Sequence, residues 1–193
     1  MPNHQHHATV SISVFVMAAA CLLSFGLKAE EIRLEELYRE TLARREAKLG
    51  RHDPEVARSL TNLALFLNTH GSAVEAESLL RRALAIDQKA LGNKHARAAE
   101  DFENLGDVLA GKQDYAKAEA EYRRALAIRE SLHGREDAAV IPLLQKVVGA
   151  VEGRGDAPGA ELIYRRLLRM SEKIYGPNDP LVLEIREQLR GAR

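Results

Sequence analysis

Three pairs of adjacent arginines recur at one fixed interval along the chain, and a ladder of guanidinium groups of this kind could bind a polyanion. The pairs are Arg81-Arg82, Arg123-Arg124 and Arg165-Arg166. A glutamate stands four residues before the first arginine of each pair, at Glu77, Glu119 and Glu161. Glu before Arg at this spacing stabilises a helix by about 0.2–0.5 kcal/mol. We therefore expect a solvated, salt-bridged outer face instead of an anion site.

Other catalytic or metal-binding chemistry is not indicated. A Gly-rich phosphate loop, a paired-cysteine motif and an HExxH motif are missing from the sequence, and the histidines beyond residue 29 do not pair at ligand spacing. The single cysteine, Cys21, excludes a disulfide within the chain. The formal net charge is zero and no basic tract is present, which argues against nucleic acid as a ligand. We predict a protein that is not an enzyme and that uses no cofactor or metal.

The N-terminus carries an uncharged apolar run over residues 8–27. An apolar core before a small residue is typical of a secretory signal peptide, with cleavage after Ala29. The run is also long enough to make residues 1–29 an uncleaved membrane anchor, and the small residues before Cys21 resemble a lipoprotein box. All three alternatives place residues 30–193 outside the cytoplasm, in the periplasm or secreted. Membrane contact is then expected only through the apolar run, where it is retained.

The chain divides from Glu55 into three blocks of equal length that align without a gap. The blocks are residues 55–96, 97–138 and 139–180. A fixed period in this range indicates stacked helical repeats. Apolar residues recur at helical spacing in two stretches per block, which predicts helices over residues 54–69 and 73–91 in the first. With a half repeat at 30–54 and a capping helix at 180–191, the repeat domain of residues 30–193 should have eight helices.

The loops between blocks repeat as well. A glycine ends one helix, and a few residues later an aspartate can cap the next, as Gly50 and Asp53 show. At the end of the first block His95 replaces the aspartate, so we expect a weaker cap there. Gly149 and Gly153 lie in the first predicted helix of the third block. Because an interior glycine costs about 1 kcal/mol relative to alanine, that helix should be the least stable of the array.

The blocks resemble the tetratricopeptide repeat in its 42-residue form, as found in kinesin light chains. The resemblance rests on small, aliphatic and aromatic residues at fixed block positions. They are Leu63, Ala64, Leu67, Gly71, Ala76, Leu80 and Ala83 in the first block, Leu105, Gly106, Leu109, Tyr115, Ala118, Tyr122 and Ala125 in the second, and Val147, Val148, Val151, Gly155, Ala160 and Tyr164 in the third. It implies an all-α fold: a right-handed solenoid of antiparallel helix pairs, with three repeats and flanking helices behind the apolar targeting helix.

In the resembling family, peptides lie on the concave surface made by the first helix of each repeat. Carrying those positions over assigns a peptide-binding groove to Arg58, Thr61, Asn62, Leu65, Glu100, Glu103, Asn104, Asp107, Gln145, Gly149 and Glu152. This surface changes from mildly basic to acidic, so we expect a basic or neutral partner segment. The hypothesis centres on Glu103, Asn104 and Asp107, where charge reversal of the two acids should abolish partner capture. The departures of the third block's first helix, Pro142, Gly149 and Gly153, reflect either drift in a terminal repeat or a place where a partner's backbone approaches closely.

The resemblance thus implies a non-enzymatic scaffold that binds a peptide or helix of a partner protein outside the cytoplasm. Two alternatives stay open. The chain could be a membrane-tethered assembly subunit of an envelope complex, or a subunit that recruits substrates for an enzyme elsewhere. Self-association through the unpaired end helices is a further alternative.

Overall fold

The computed structural model describes the backbone of residues 6–191 and the side chains of residues 28–191. Within residues 6–191 the chain forms eight α-helices, one short 3₁₀ turn and no strand. The helices are α1 (His6–Leu49), α2 (Pro54–Thr69), α3 (Ala73–Leu91), α4 (Ala96–Gly111), α5 (Tyr115–His133), α6 (Ile141–Gly153), α7 (Ala157–Tyr175) and α8 (Pro180–Gly191), and the 3₁₀ turn is Ala138–Val140. The all-α prediction is confirmed for this part of the chain.

The predicted targeting segment, residues 1–29, lies outside the described side chains except for Lys28 and Ala29. The signal-peptide, anchor and lipoprotein alternatives therefore stay predictions. Within residues 28–191, whose side chains the structure describes, no helical stretch combines the length and the hydropathy that a membrane crossing requires.

The helices pack mainly against their chain neighbours, as expected for a stacked array. Three hairpins form from α2 with α3, α4 with α5, and α6 with α7, and contacts of α3 with α4 and of α5 with α6 stack the hairpins. At the ends, α1 packs against α2 and α8 packs against α7. A continuous apolar core runs from Leu63 in α2 to Ile185 in α8. The half repeat and the capping helix thus cover the terminal hairpins.

Two glycines inside the helices are explained by close contact with tyrosine rings. A Cβ on Gly106 would overlap the ring of Tyr122, which is only 4% exposed. Gly153 has the same relation to Tyr115, whose ring carbons would lie 2.6–2.7 Å from an added Cβ. Glycine is therefore needed at both positions, despite its poor helix propensity.

Helix ends follow the predicted bounds closely, and α2 and α3 begin and end where the periodicity placed them. Asp53 caps α2 by accepting the Glu55 N–H at 2.8 Å. His95 also caps its helix, since its Nδ1 accepts the Arg97 N–H, but at 3.2 Å. In the third repeat the 3₁₀ turn comes first, and α6 has 13 residues against 16 in α2. Pro142 lies in the first turn of α6, where its missing N–H leaves no unpaired donor.

The first arginine of each pair contacts the glutamate four residues before it, as predicted. The ion pairs are Arg81 with Glu77, Arg123 with Glu119 and Arg165 with Glu161.

The expectation of a solvated face is nevertheless wrong for Glu77 and Glu119, which are buried. Each also binds a cation of the next hairpin: Lys112 Nζ lies 2.5 Å from Glu77, and Arg154 Nη1 lies 3.4 Å from Glu119. The hydrogen bond from Lys112 lowers the pKa of Glu77. These carboxylates therefore join repeats, which a single-helix pattern cannot reveal.

In two of the arginine pairs, the second arginine donates a hydrogen bond to a backbone carbonyl of a loop between repeats. Arg82 donates to the Arg51 carbonyl at 3.2 Å, and Arg166 donates to the Arg135 carbonyl at 2.7 Å. In the middle pair, Arg124 instead lies over the Phe102 ring at 5.6 Å. The paired arginines therefore contribute to packing and hold the loops between repeats in place.

Candidate peptide-binding face

The exposed sides of α2, α4, α6 and α8 form one surface, called here the first-helix face. The structure places the eleven residues of the predicted groove on α2, α4 and α6 of this face, and it buries none of them. The surface repeats with the period of the blocks, so that Leu65, Asp107 and Gly149 hold equivalent places in successive repeats. Their role in binding stays a prediction.

Two cavities open on the first-helix face at equivalent places, two repeats apart. The first cleft, of about 170 Å³, lies between α2 and α4. The other, of about 180 Å³, lies between α6 and α8 and is called the third cleft because it belongs to the third repeat. Asn104, Lys146 and Gln188 occupy the same position in successive repeats. Asn104 lines the first cleft and Gln188 lines the third, and Lys146 occupies the equivalent middle place.

Lys146 is held at this middle position by carboxylates of the preceding repeat. Its Nζ lies 2.7 Å from Asp107 Oδ2 and 2.9 Å from Glu103 Oε1. Arg129 donates to Glu103 Oε2 at 2.9 Å, and the Tyr122 hydroxyl donates to Asp107 Oδ1 at 2.8 Å. Burial opposes the charge of Lys146, but the hydrogen bonds from its ammonium to the two carboxylates outweigh burial and raise its pKa. Burial, followed by the Asp107 hydrogen bond, also raises the pKa of Tyr122.

The hypothesis of an acidic centre at Glu103, Asn104 and Asp107 therefore needs correction. The three residues are neighbours on α4, but both carboxylates already have cationic partners inside the molecule. Their negative charge is largely offset by Lys146 and Arg129, which weakens the attraction expected for a basic segment. Charge reversal at Glu103 and Asp107 would also break the contact between α4 and α6, so loss of capture would not isolate binding.

The floor of the first cleft is a pair of buried carboxyl groups, Asp87 and Asp101, which are 2% and 4% exposed. A proton on one of them allows a hydrogen bond between the two carboxyl groups. Arg97 Nε lies 3.1 Å from Asp87 Oδ2, and Thr61 donates to Asp101 Oδ1 at 3.2 Å. Among the described residues, the two remaining oxygens, Asp87 Oδ1 and Asp101 Oδ2, have no hydrogen-bond partner while both groups are ionised. Burial, together with the charge of Asp87, raises the pKa of Asp101 to about 7. Burial also raises the pKa of Asp87, so the pair holds one shared proton below neutral pH.

The third cleft has an apolar floor, formed in part by the buried side chains of Leu167 and Ile185. Gly149 lies at its rim, and an added Cβ there would meet no atom within 4 Å. Glu152 and the Tyr164 hydroxyl are joined by a hydrogen bond of 3.0 Å. Burial, followed by this hydrogen bond, raises the pKa of Tyr164 to about 12. The hydroxyl therefore remains a neutral donor at physiological pH.

The sequence analysis did not predict the buried pair of Asp87 and Asp101 or the ion pairs that hold Lys146 in place. A signal was present, because Asp101 occupies the column in which Leu143 and Ile185 are core residues. The first repeat has Ser59 in this column, and a charged residue at a position that is buried in every repeat indicates a buried polar contact. In the part of the chain that the structure describes, no group of three or more His, Cys, Asp or Glu side chains is arranged to hold a metal ion.

Comparisons with known proteins agree with this architecture. Residues 62–131 match the family model described as the tetratricopeptide repeat. Residues 62–131 therefore consist of tetratricopeptide repeats. Its fold is similar to that of a Podosopora anserina kinesin light chain with nearly identical TPR-like repeats, at 19% identity and a TM-score of 0.75 over 86% of this chain and 78% of that one. It is also similar to BtubC (BKLC) from P. vanneervenii, at 27% identity and a TM-score of 0.70 over 77% of this chain and 59% of that one. No curated protein matched.

The tetratricopeptide repeat assignment confirms the family resemblance and accounts for the stacked hairpins. Arrays of this kind bury their core between neighbouring repeats and present an extended surface to other proteins. The family generally mediates protein–protein interaction. Fold alone does not locate a binding site, so a site has to be sought in the residues of the first-helix face itself.

Proposed function

We propose that this tetratricopeptide repeat protein is a non-enzymatic scaffold that binds an extended segment or helix of a partner protein on its first-helix face. The observation that carries the proposal is the set of exposed or half-exposed polar groups on this face. Asn62, Asn104 and Gln145 project beside the clefts and make no side-chain hydrogen bond to another described residue. By contrast, Thr61 and Asp107 are hydrogen-bonded internally. Free amide groups can donate to and accept from the main chain of an extended segment.

We place this function outside the cytoplasm. The support is the apolar run over residues 8–27 and the small residue at Ala29. The intact mass of the protein purified from its natural source tests this. Loss of residues 1–29 would support secretion, and a full-length mass would support anchoring through the run.

Affinity capture tests binding to the first-helix face. The full chain is compared with the variant Asn62→Ala/Gln145→Ala, which removes two free amides without breaking an internal hydrogen bond. We expect captured partner to fall at least tenfold, while circular dichroism and melting temperature stay those of the unmodified chain. Ser78→Ala/Lys89→Ala changes two exposed residues of α3 and serves as the control. Equal capture by all three proteins would rule out the proposed face.

A second function is favoured by exposed apolar residues on α1. Ile32, Leu34 and Leu37 are 57%, 47% and 55% exposed, and they follow the apolar run of the N-terminus. They are suited to lateral docking of a membrane-tethered assembly or recruiting subunit. In this case Ile32→Ser/Leu37→Ser should abolish co-purification of the envelope complex, whereas Asn62→Ala/Gln145→Ala should leave it intact. The reverse pattern would exclude the tethered alternative.

A further inference from the structure

The first-helix face offers three equivalent places, one in each repeat, but within the described side chains only one of them is both open and free of cations. The first cleft contains Arg58 and Arg97, and Arg97 is already paired with Asp87. The middle place is filled by Lys146, whose ammonium binds two carboxylates. The third cleft has no lysine or arginine among its lining residues. A partner side chain can therefore enter the third cleft without displacing a cation of the protein.

The third cleft differs from the first because its floor is apolar. Leu181 replaces Arg97 and Ile185 replaces Asp101 at the equivalent positions, two repeats further along the chain. The cavity of about 180 Å³ exceeds the ~150 Å³ apolar cavity that binds a benzene-sized ligand. A side chain as large as leucine therefore fits, and its burial is favoured by the hydrophobic effect.

The rim of the third cleft is acidic. Glu152 and Glu184 both line it, and no cation of the lining neutralises them. Tyr164 donates one hydrogen bond to Glu152, which leaves the charge in place. At Gly149 the absent side chain leaves open space next to the α6 backbone. The main chain of a partner can approach closely there, while its flanking side chains lie near the two glutamates.

We propose that the third cleft binds an aliphatic side chain of an extended partner segment whose neighbouring residue is lysine or arginine. This inference rests on the proposed scaffold function and specifies the chemistry of the segment. The aliphatic side chain lies on Leu181 and Ile185, and the cation lies against Glu152 and Glu184. The first cleft does not share this preference, because its floor is charged and contains its own guanidinium group.

Fluorescence anisotropy with three fluorescein-labelled peptides tests the inference on the full chain in a mild non-ionic detergent. The peptides have the sequence Gly-Ser-Gly-X-Y-X-Gly-Ser-Gly, with X-Y-X as Lys-Leu-Lys, Lys-Ser-Lys or Glu-Leu-Glu. We expect the Lys-Leu-Lys peptide to bind at least tenfold tighter than either of the others. Its affinity should fall as salt rises, because the attraction to the glutamates is screened.

Two matched variants locate the site. Glu184→Gln should weaken the Lys-Leu-Lys peptide at least fivefold, whereas Glu100→Gln, at the equivalent position of the first cleft, should change its affinity less than twofold. Gly149→Leu should also weaken binding by filling the cleft, with circular dichroism unchanged because leucine is a good helix former. Equal affinity of the three peptides, or equal losses from Glu184→Gln and Glu100→Gln, would overturn the inference.

The inference and the proposed function can fail separately. Where none of the peptides binds, yet capture of the natural partner still depends on Asn62 and Gln145, the third-cleft preference is wrong and the scaffold function stands. Where capture is also independent of Asn62 and Gln145, both are wrong.

Discussion

Replacing Asp101 with asparagine should remove a pH dependence of stability that the buried carboxyl pair creates. Asp101 is 4% exposed, and a proton on the pair allows it to form a hydrogen bond with Asp87. The groups that face the pair are Thr61 from α2, Arg97 from α4 and His95 from the preceding loop. Of these, only the Arg97 guanidinium is an ion pair partner, and it binds Asp87. Ionisation of Asp101 therefore adds a second negative charge beside the one guanidinium that forms an ion pair with Asp87.

The magnitude follows from the pKa of Asp101, which burial raises to about 7. An ordinary aspartate in the unfolded chain titrates near ~3.9. The folded state thus holds an extra proton between roughly pH 4 and pH 7, so the free energy of unfolding falls as pH rises through that window. At about 1.4 kcal/mol for each pKa unit, the loss between pH 5 and pH 8 is on the order of 2–3 kcal/mol.

Urea unfolding of the full chain, followed by circular dichroism at pH 5 and pH 8, measures this loss. Asp101→Asn cannot ionise, and its amide can still donate to Asp87. The variant should resemble the unmodified chain at pH 5 and exceed its free energy of unfolding by about 2–3 kcal/mol at pH 8. Glu100→Gln removes an exposed carboxylate from the adjacent residue and should leave the pH dependence unchanged. An equal loss of stability by Asp101→Asn and the unmodified chain between pH 5 and pH 8 would refute the role of the buried pair.

Three further substitutions test the packing and the ion pairs by urea unfolding at pH 7. Gly106→Ala should destabilise by about 1–3 kcal/mol, because the new Cβ overlaps the Tyr122 ring; an unchanged midpoint would contradict that contact. Gly149→Ala should stabilise by about 0.5–1 kcal/mol, because its Cβ enters open space in a helix, and a loss of stability would show a contact that the structure lacks. Lys146→Met should destabilise by about 1–2 kcal/mol, because Glu103 loses a partner; neutrality would mean that this ion pair contributes nothing.

Helix positions could be predicted from the sequence because they depend on local chemistry. The apolar spacing of α2, the cap at Asp53 and the glycine that ends each second helix act within a few residues of one another. The pairing of Glu77 with Arg81 is likewise set by helical geometry. For this reason α2 and α3 begin and end at the expected residues.

The ion pairs between repeats could not be predicted in the same way. Glu103 and Lys146 belong to different repeats, and their contact depends on how α4 and α6 approach each other. Periodicity gives the number of repeats but not that geometry. Glu103 therefore resembled a free carboxylate in the sequence. Asp101 was easier to identify from the sequence, because a charged residue stands where Leu143 and Ile185 are aliphatic core residues further along the chain.

Carboxyl footprinting of the full chain, with and without its captured partner, tests the first-helix face most directly. A carbodiimide and glycine ethyl ester label accessible carboxylates, and mass spectrometry measures the extent of labelling at each residue. Partner binding should reduce labelling several-fold at Glu100, Glu152 and Glu184, while Glu136, exposed in the loop before α6, should be labelled equally in both states. Protection of Glu136 with no change at the three first-helix residues would show that the partner binds elsewhere.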